Sequence, residues 1–177
     1  MSDDKKKSGF ANTHYPGITA DPNEGQFDIP KEALDFLKPQ IDKFGLDAQR
    51  AIWRRAVLLV EFNSKAAAVI EQLVQSGVAR VGVLTTNASP QERDEIKKLS
   101  SDLRSKYSWL EFEPFIGLSL AREPFDVLKG FQLLIDFSEG QLNSKVQETA
   151  IELKMKVLKG SELPEKKVEH LVALLVG

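Results

Sequence analysis

The sequence predicts an α/β fold: a Rossmann-like, doubly wound, mostly parallel sheet preceded by N-terminal helices. Short apolar runs suited to strands buried on both faces recur at residues 55–62, 78–84 and 131–137. Segments of helical period with their own cap residues separate them, and strands alternating with helices require right-handed crossovers and hence parallel pairing. A length of 177 residues suffices for one hydrophobic core. Residues 29–177 are therefore expected to form one domain behind a flexible leader at 1–28, where Lys5, Lys6 and Lys7 and several Gly and Pro accompany few apolar anchors.

Each element follows from local pattern. Pro30 suits a first helical turn, and Ala33, Leu34, Leu37 and Ile41 follow at three- and four-residue steps, with Pro39 expected to end or kink the helix. Gly45 separates it from a second helix at about 47–54. After the strand at 55–62, Asn63 or Ser64 caps a helix with Ala67, Ile70, Leu73 and Val74 inward, and Gly77 stops it where positive φ is cheap. The next strand spans 78–84. Ser89, Pro90 and Glu92 carry a capping-box spacing ahead of Ile96, Leu99 and Leu103. Residues 109–115 alternate apolar and acidic, as a strand near a sheet edge does. A short crossover at 124–129 leads to the strand at 131–137. A helix after Gly140 gives way to a strand at 155–158, and Val168, Leu171, Val172 and Leu175 mark a final helix.

Composition bounds the chemistry. Hydrophobic residues at 42% and charged residues at 28% exclude a disordered chain. With 24 Lys and Arg against 26 Asp and Glu the net charge is −2, so any polyanion binding must come from a local patch, and neither nucleic acid nor membrane is an expected partner. Absence of cysteine removes thioesters, thiol nucleophiles, disulfides and Cys-ligated zinc. His14 and His170 are the only histidines, and neither has an evident partner that would make it a base or ligand. No apolar run approaches the roughly 20 residues of a bilayer span, and a cytoplasmic location is expected.

In a sheet of this kind ligands bind beyond the carboxyl ends of the strands, which selects the loops at 62–65, 85–89 and 136–141. In the first, Asn63 and Ser64 read as helix caps or as phosphate ligands, and Lys65 as a solvated first-turn lysine or a phosphate clamp. Glu61 and Phe62 stand where a close backbone approach to phosphate calls for glycine. In the second, Thr85 occupies the strand end at which nucleotide-binding sheets place a ribose-holding carboxylate. In the third, Asp136 and Glu139 are spaced to share Mg²⁺ through oxygen ligands, or to complement a helix N-terminus. Trp53-Arg54-Arg55 reads as a packed lid on the core ahead of a stacking cluster.

The segment from Phe44 through Asn87, with Gly45 and Gln49 in a G-x-x-x-Q spacing, the run RRAVLLVEFNSKAAAVIEQLVQSGVARVGVLTTN and the helix end Leu73, Gly77, Val78, resembles the start of a ThiF/MoeB-type, ubiquitin-activating-enzyme-like adenylation domain. Residues 125–139 look similar to that family's F-D-x-V-x-D-x-x-D strand, with Asp136 at its first terminal aspartate and Glu139 at the metal-linked one. The family's glycine-rich turn falls on Glu61, Asn63, Ser64 and Ala66, and its ribose-binding aspartate on Thr85. The stretch with its catalytic arginine and lysine is missing between Asn87 and Ser89. The resemblance therefore implies a degenerate, non-catalytic member: a binding or scaffolding subunit that dimerises with itself or with a homologous adenylating subunit and needs no cofactor. Asn63, Ser64, Lys65, Thr85, Asp136 and Glu139 are its vestigial nucleotide-binding positions, with no catalytic residue and no metal site. The alternative it implies is a small ATP- and Mg-dependent enzyme adenylating a carboxylate, with Lys65 or Arg93 near the phosphates. An unrelated flavodoxin-like or receiver-like sheet is the third expectation, to be separated from the others by strand order.

Overall fold

The computed structural model describes residues 29–116, 124–163 and 175. The leader expected at 1–28, nearly all of the helix expected at the end of the chain, His14 and His170 lie outside the described residues. The elements run α1 (Lys31–Phe44), α2 (Leu46–Trp53), β1 (Ala56–Val60), α3 (Ser64–Gln75), β2 (Arg80–Thr85), α4 (Pro90–Lys106), β3 (Glu111–Ile116), α5 (Pro124–Leu128), β4 (Leu133–Asp136), α6 (Ser144–Glu152) and β5 (Lys156–Lys159), followed by a 3₁₀ turn at Gly160–Glu162.

The five strands form one sheet in the order β3-β2-β1-β4-β5, with every pairing parallel. This is the Rossmann-like sheet expected, and it differs from the flavodoxin-like order 2-1-3-4-5. β1 is central, and its burial pattern follows from that place: all five of its side chains are buried. Val57 and Leu59 pack on one face with Val69, Ile70 and Leu73 of α3 and Ile96 and Leu103 of α4. Leu58 and Val60 pack on the other with Leu128 of α5 and Val146 and Ala150 of α6. Period-two alternation thus serves two helical layers at once, which is why the strand reads as an unbroken apolar run. Full burial of Leu58 and Leu59 contributes about 1.5–3 kcal/mol each.

Two expectations need correction. Pro39 does not end α1, which continues to Phe44. The ring lies on the exposed side, Ala33 and Leu37 are buried on the other, and Gln40 Nε2 donates to the Gln75 carbonyl at 2.5 Å, so tertiary docking outweighs the lost helical hydrogen bond. β3 is the edge strand expected, but it begins at Glu111. Trp109 instead packs at a tilt against Trp53 and Tyr107, with ring centroids 5.2 and 5.5 Å away, and the lid reading of Trp53 follows from that contact.

The caps are largely those written in the sequence. Asn63 Oδ1 accepts from Ala66 N at 2.8 Å and Ser89 Oγ from Glu92 N at 3.2 Å. α6 starts two residues after Leu142, because Asn143 Oδ1 accepts from Lys145 N and Val146 N. No helix of the described residues is long and apolar enough to cross a membrane.

Candidate functional site at the switch point

Strand order reverses between β1 and β4: the chain leaves β1 toward β2 and leaves β4 toward β5. At such a point the loops part and leave a crevice beyond the strand ends. A cleft of about 550 Å³ lies there, lined by residues of all three loops selected from the sequence, Asn63, Thr86 and Glu139 among them.

The loop after β1 carries the site's main feature. Glu61 adopts φ 67°, the left-handed region that favours glycine, so the backbone takes a glycine turn although the residue is not glycine. Its carboxylate crosses to the loop after β2, where Oε1 accepts from Thr86 N at 3.1 Å and Thr86 Oγ1 at 2.6 Å. An acidic side chain thus binds a backbone amide and a hydroxyl at the strand ends and joins the two loops. Sequence reasoning marked Glu61 as an obstruction but missed the partner; the signal was a carboxylate in the glycine position facing a Thr-Thr loop.

The other predicted residues divide sharply. Asn63 lines the cleft, yet its Oδ1 is committed to the helix cap, and Ser64 is exposed at the first turn of α3. Lys65 Nζ lies 3.4 Å from the Ser161 carbonyl and is absent from the cleft wall. Arg93 Nε donates to the Ala88 carbonyl. Asp136 is 4% exposed and folds back on its own loop, its Oδ1 accepting from Ser138 N at 2.8 Å and from the Ser138 hydroxyl, with Lys159 Nζ 3.9 Å from Oδ2. Glu139 is exposed and lines the cleft. Asp136 is thus engaged within its own loop while Glu139 faces the cleft, and among the described residues no group of three or more His, Asp or Glu converges to hold a metal.

Thr85 is fully buried and its Oγ1 has no hydrogen-bond partner. It extends the row of Val81 and Val83 at the strand end and does not line the cleft. Thr85→Val is expected to stabilise the fold by about 1 kcal/mol, since an apolar isostere removes an unsatisfied hydroxyl. A melting temperature raised by roughly 2–4 °C checks this; a fall would mean that Oγ1 finds a partner in solution.

Taken together these residues do not fit a polyphosphate. Glu61, Glu92 and Glu139 line the cleft, among the described residues no Lys or Arg does so, and the first-turn amide of Ala66 is already capped. Phosphate recognition needs the opposite charge and open amides.

No protein-family model matches the chain, and no curated protein matches it. Solved structures do. TcdA (CsdL) superposes with a TM-score of 0.63 at 10% identity, over 74% of this chain and 58% of that one. The Escherichia coli tRNA N6-threonylcarbamoyladenosine dehydratase TcdA in complex with ATP gives 0.61 at 9% identity, over 74% and 60%. PaaA gives 0.53 at 13% identity, over 88% and 55%. The chain spans about three fifths of the length of these structures or less. At such identities the likeness is one of fold alone: the chain has a Rossmann-like, ThiF-like α/β fold.

Proposed function

We propose that the chain is a non-catalytic binding or scaffolding domain built on the ThiF-like fold, acting as a homodimer or beside a homologous adenylating subunit. One observation carries this reading: the glycine turn after β1 holds Glu61, whose carboxylate satisfies Thr86 across the crevice. A negative charge at that place opposes a nucleotide phosphate, and the two further carboxylates of the wall add to it. What remains is a framework of buried strands and helices able to present surfaces to a partner.

The test is calorimetry of the purified chain with ATP, with and without Mg²⁺, beside light scattering on a sizing column. No heat of binding is expected at millimolar ATP, and none in Glu61→Gly, because removing the plug adds no cation to the cleft. That variant is expected to change stability by less than about 1 kcal/mol, since relief of the left-handed backbone offsets the lost Thr86 bonds. A dimer mass or a captured partner supports the scaffold; a strict monomer without a partner counts against it.

The second reading is an ATP- and Mg-dependent enzyme that adenylates a carboxylate of a protein or small molecule. The size of the cleft and its place at the switch point favour it. Saturable ATP binding lost in Asp136→Ala or Glu139→Ala would move the balance to this reading.

A further inference from the structure

The opposite end of the sheet carries a second concavity, a groove of about 470 Å³ where β1, β4 and β5 begin. Arg55, Lys129, Lys154 and Lys156 line it above an apolar floor that includes Phe131 and Met155, and among the described residues no carboxylate lines it. Four cations thus share one small groove in a chain whose net charge is −2. Arg55 is pinned at the wall, its Nε donating to the Leu175 carbonyl at 3.2 Å. Lys129 pairs with Asp126 at 3.3 Å, whereas Lys154 and Lys156 are exposed and make no ion pair with a described residue.

We infer that this groove is a binding site for a small organic anion, a phosphate or carboxylate head on an apolar body, held by Lys154 and Lys156 at its head and by Phe131 and Met155 along its body. A concavity of a few hundred cubic ångströms in which several charged side chains converge beside apolar ones can fix a small ligand's charged head and seat its body. The backbone adds an independent sign. Lys154 sits at φ 55° just after the end of α6, where Gly or Asn normally terminates a helix without strain. Its amide donates to the Ile151 carbonyl and that of Met155 to the Ala150 carbonyl, so the turn itself requires the left-handed residue. Among the described non-glycine residues only Glu61 and Lys154 have positive φ, and each lines one of the two concavities. A lysine kept in a glycine position supplies a charge at the groove at the expense of stability. This inference is independent of what the switch-point cleft binds.

The experiment titrates the ¹⁵N-labelled full chain with phenyl phosphate, and separately with benzoate and phenol, and follows the backbone amides. Saturable shifts are expected at residues 129–132 and 153–156, with phenyl phosphate or benzoate binding well ahead of phenol; whichever anion binds tighter identifies the head. Lys156→Glu, on an exposed side chain, is expected to bind about tenfold more weakly. Lys154→Gly is expected to lose affinity by a similar factor while its melting temperature rises by about 2–4 °C, since glycine takes the left-handed turn freely. Phenol shifting the same amides with equal affinity, or Lys156→Glu binding as tightly as the unaltered chain, would overturn the inference, as would no shift in the groove at millimolar phenyl phosphate.

Discussion

Gly77→Ala is expected to lower stability by about 3–4 kcal/mol, enough to unfold much of a marginally stable domain. Two independent costs add. Gly77 closes the turn between α3 and β2 at φ 97°, a conformation that costs a side-chain-bearing residue about 1–2 kcal/mol. A Cβ there would also lie 2.1 Å from Gln49 Nε2 and 3.0 Å from Leu37 Cδ1. Gln49 is 2% exposed, and its Nε2 donates to the Ser76 carbonyl at 2.9 Å, joining α2 to the end of α3. To admit the methyl group the amide must leave that carbonyl, stranding buried polar groups at about 1–3 kcal/mol. Urea melts of Gly77→Ala, Gln49→Ala and the double variant separate the terms. The double variant is expected to recover the clash but not the backbone cost; full recovery would show that the left-handed turn is not required.

Gly82→Ala is expected to cost about 2–3 kcal/mol through overpacking alone, because its backbone is an ordinary strand. An added Cβ would lie 2.6 Å from Phe131 Cζ and 3.0 Å from Leu58 Cδ1, in the middle of the sheet. Phe131 has no room to retreat: it packs edge-on to Phe115 at 6.3 Å, and the Arg80 guanidinium lies 5.3 Å from its ring centroid. A double-mutant cycle with Phe131→Leu checks the mechanism. The shorter side chain should restore at least half of the loss, giving a coupling above about 1 kcal/mol; additive losses would place the strain elsewhere. Since Phe131 also floors the basic groove, Gly82→Ala is expected to disturb anion binding there as well.

Much of the architecture was legible because strand and helix periods differ and few residues blur them. The run at 56–60 is apolar at every position because helices cover both its faces, and the caps Asn63 and Ser89 and the stop at Gly77 are local chemistry that needs no distant partner. Pro39 misled for the complementary reason. Its penalty is local, and the docking of Leu37 and Gln40 that overrides it involves residues up to 35 positions away. The onset of β3 was placed two residues early, since alternation does not reveal that Trp109 is claimed by Trp53 from another helix.

The site was legible as three loops, and unevenly within them. By itself the sequence determined the α/β class, the caps at Asn63 and Ser89, the stop at Gly77, and the absence of glycine after β1 and of an acidic residue at 85, because each depends on residue type and short-range spacing. Only the tertiary structure decided that β1 lies at the centre of an all-parallel sheet, that Glu61 satisfies Thr86, that Asp136 turns back onto Ser138, and that Lys154 and Lys156 meet Arg55 and Lys129 around one groove. Those outcomes join residues 25 to about 100 positions apart, or choose among rotamers that a linear pattern leaves equal, and packing of both sheet faces selects between them.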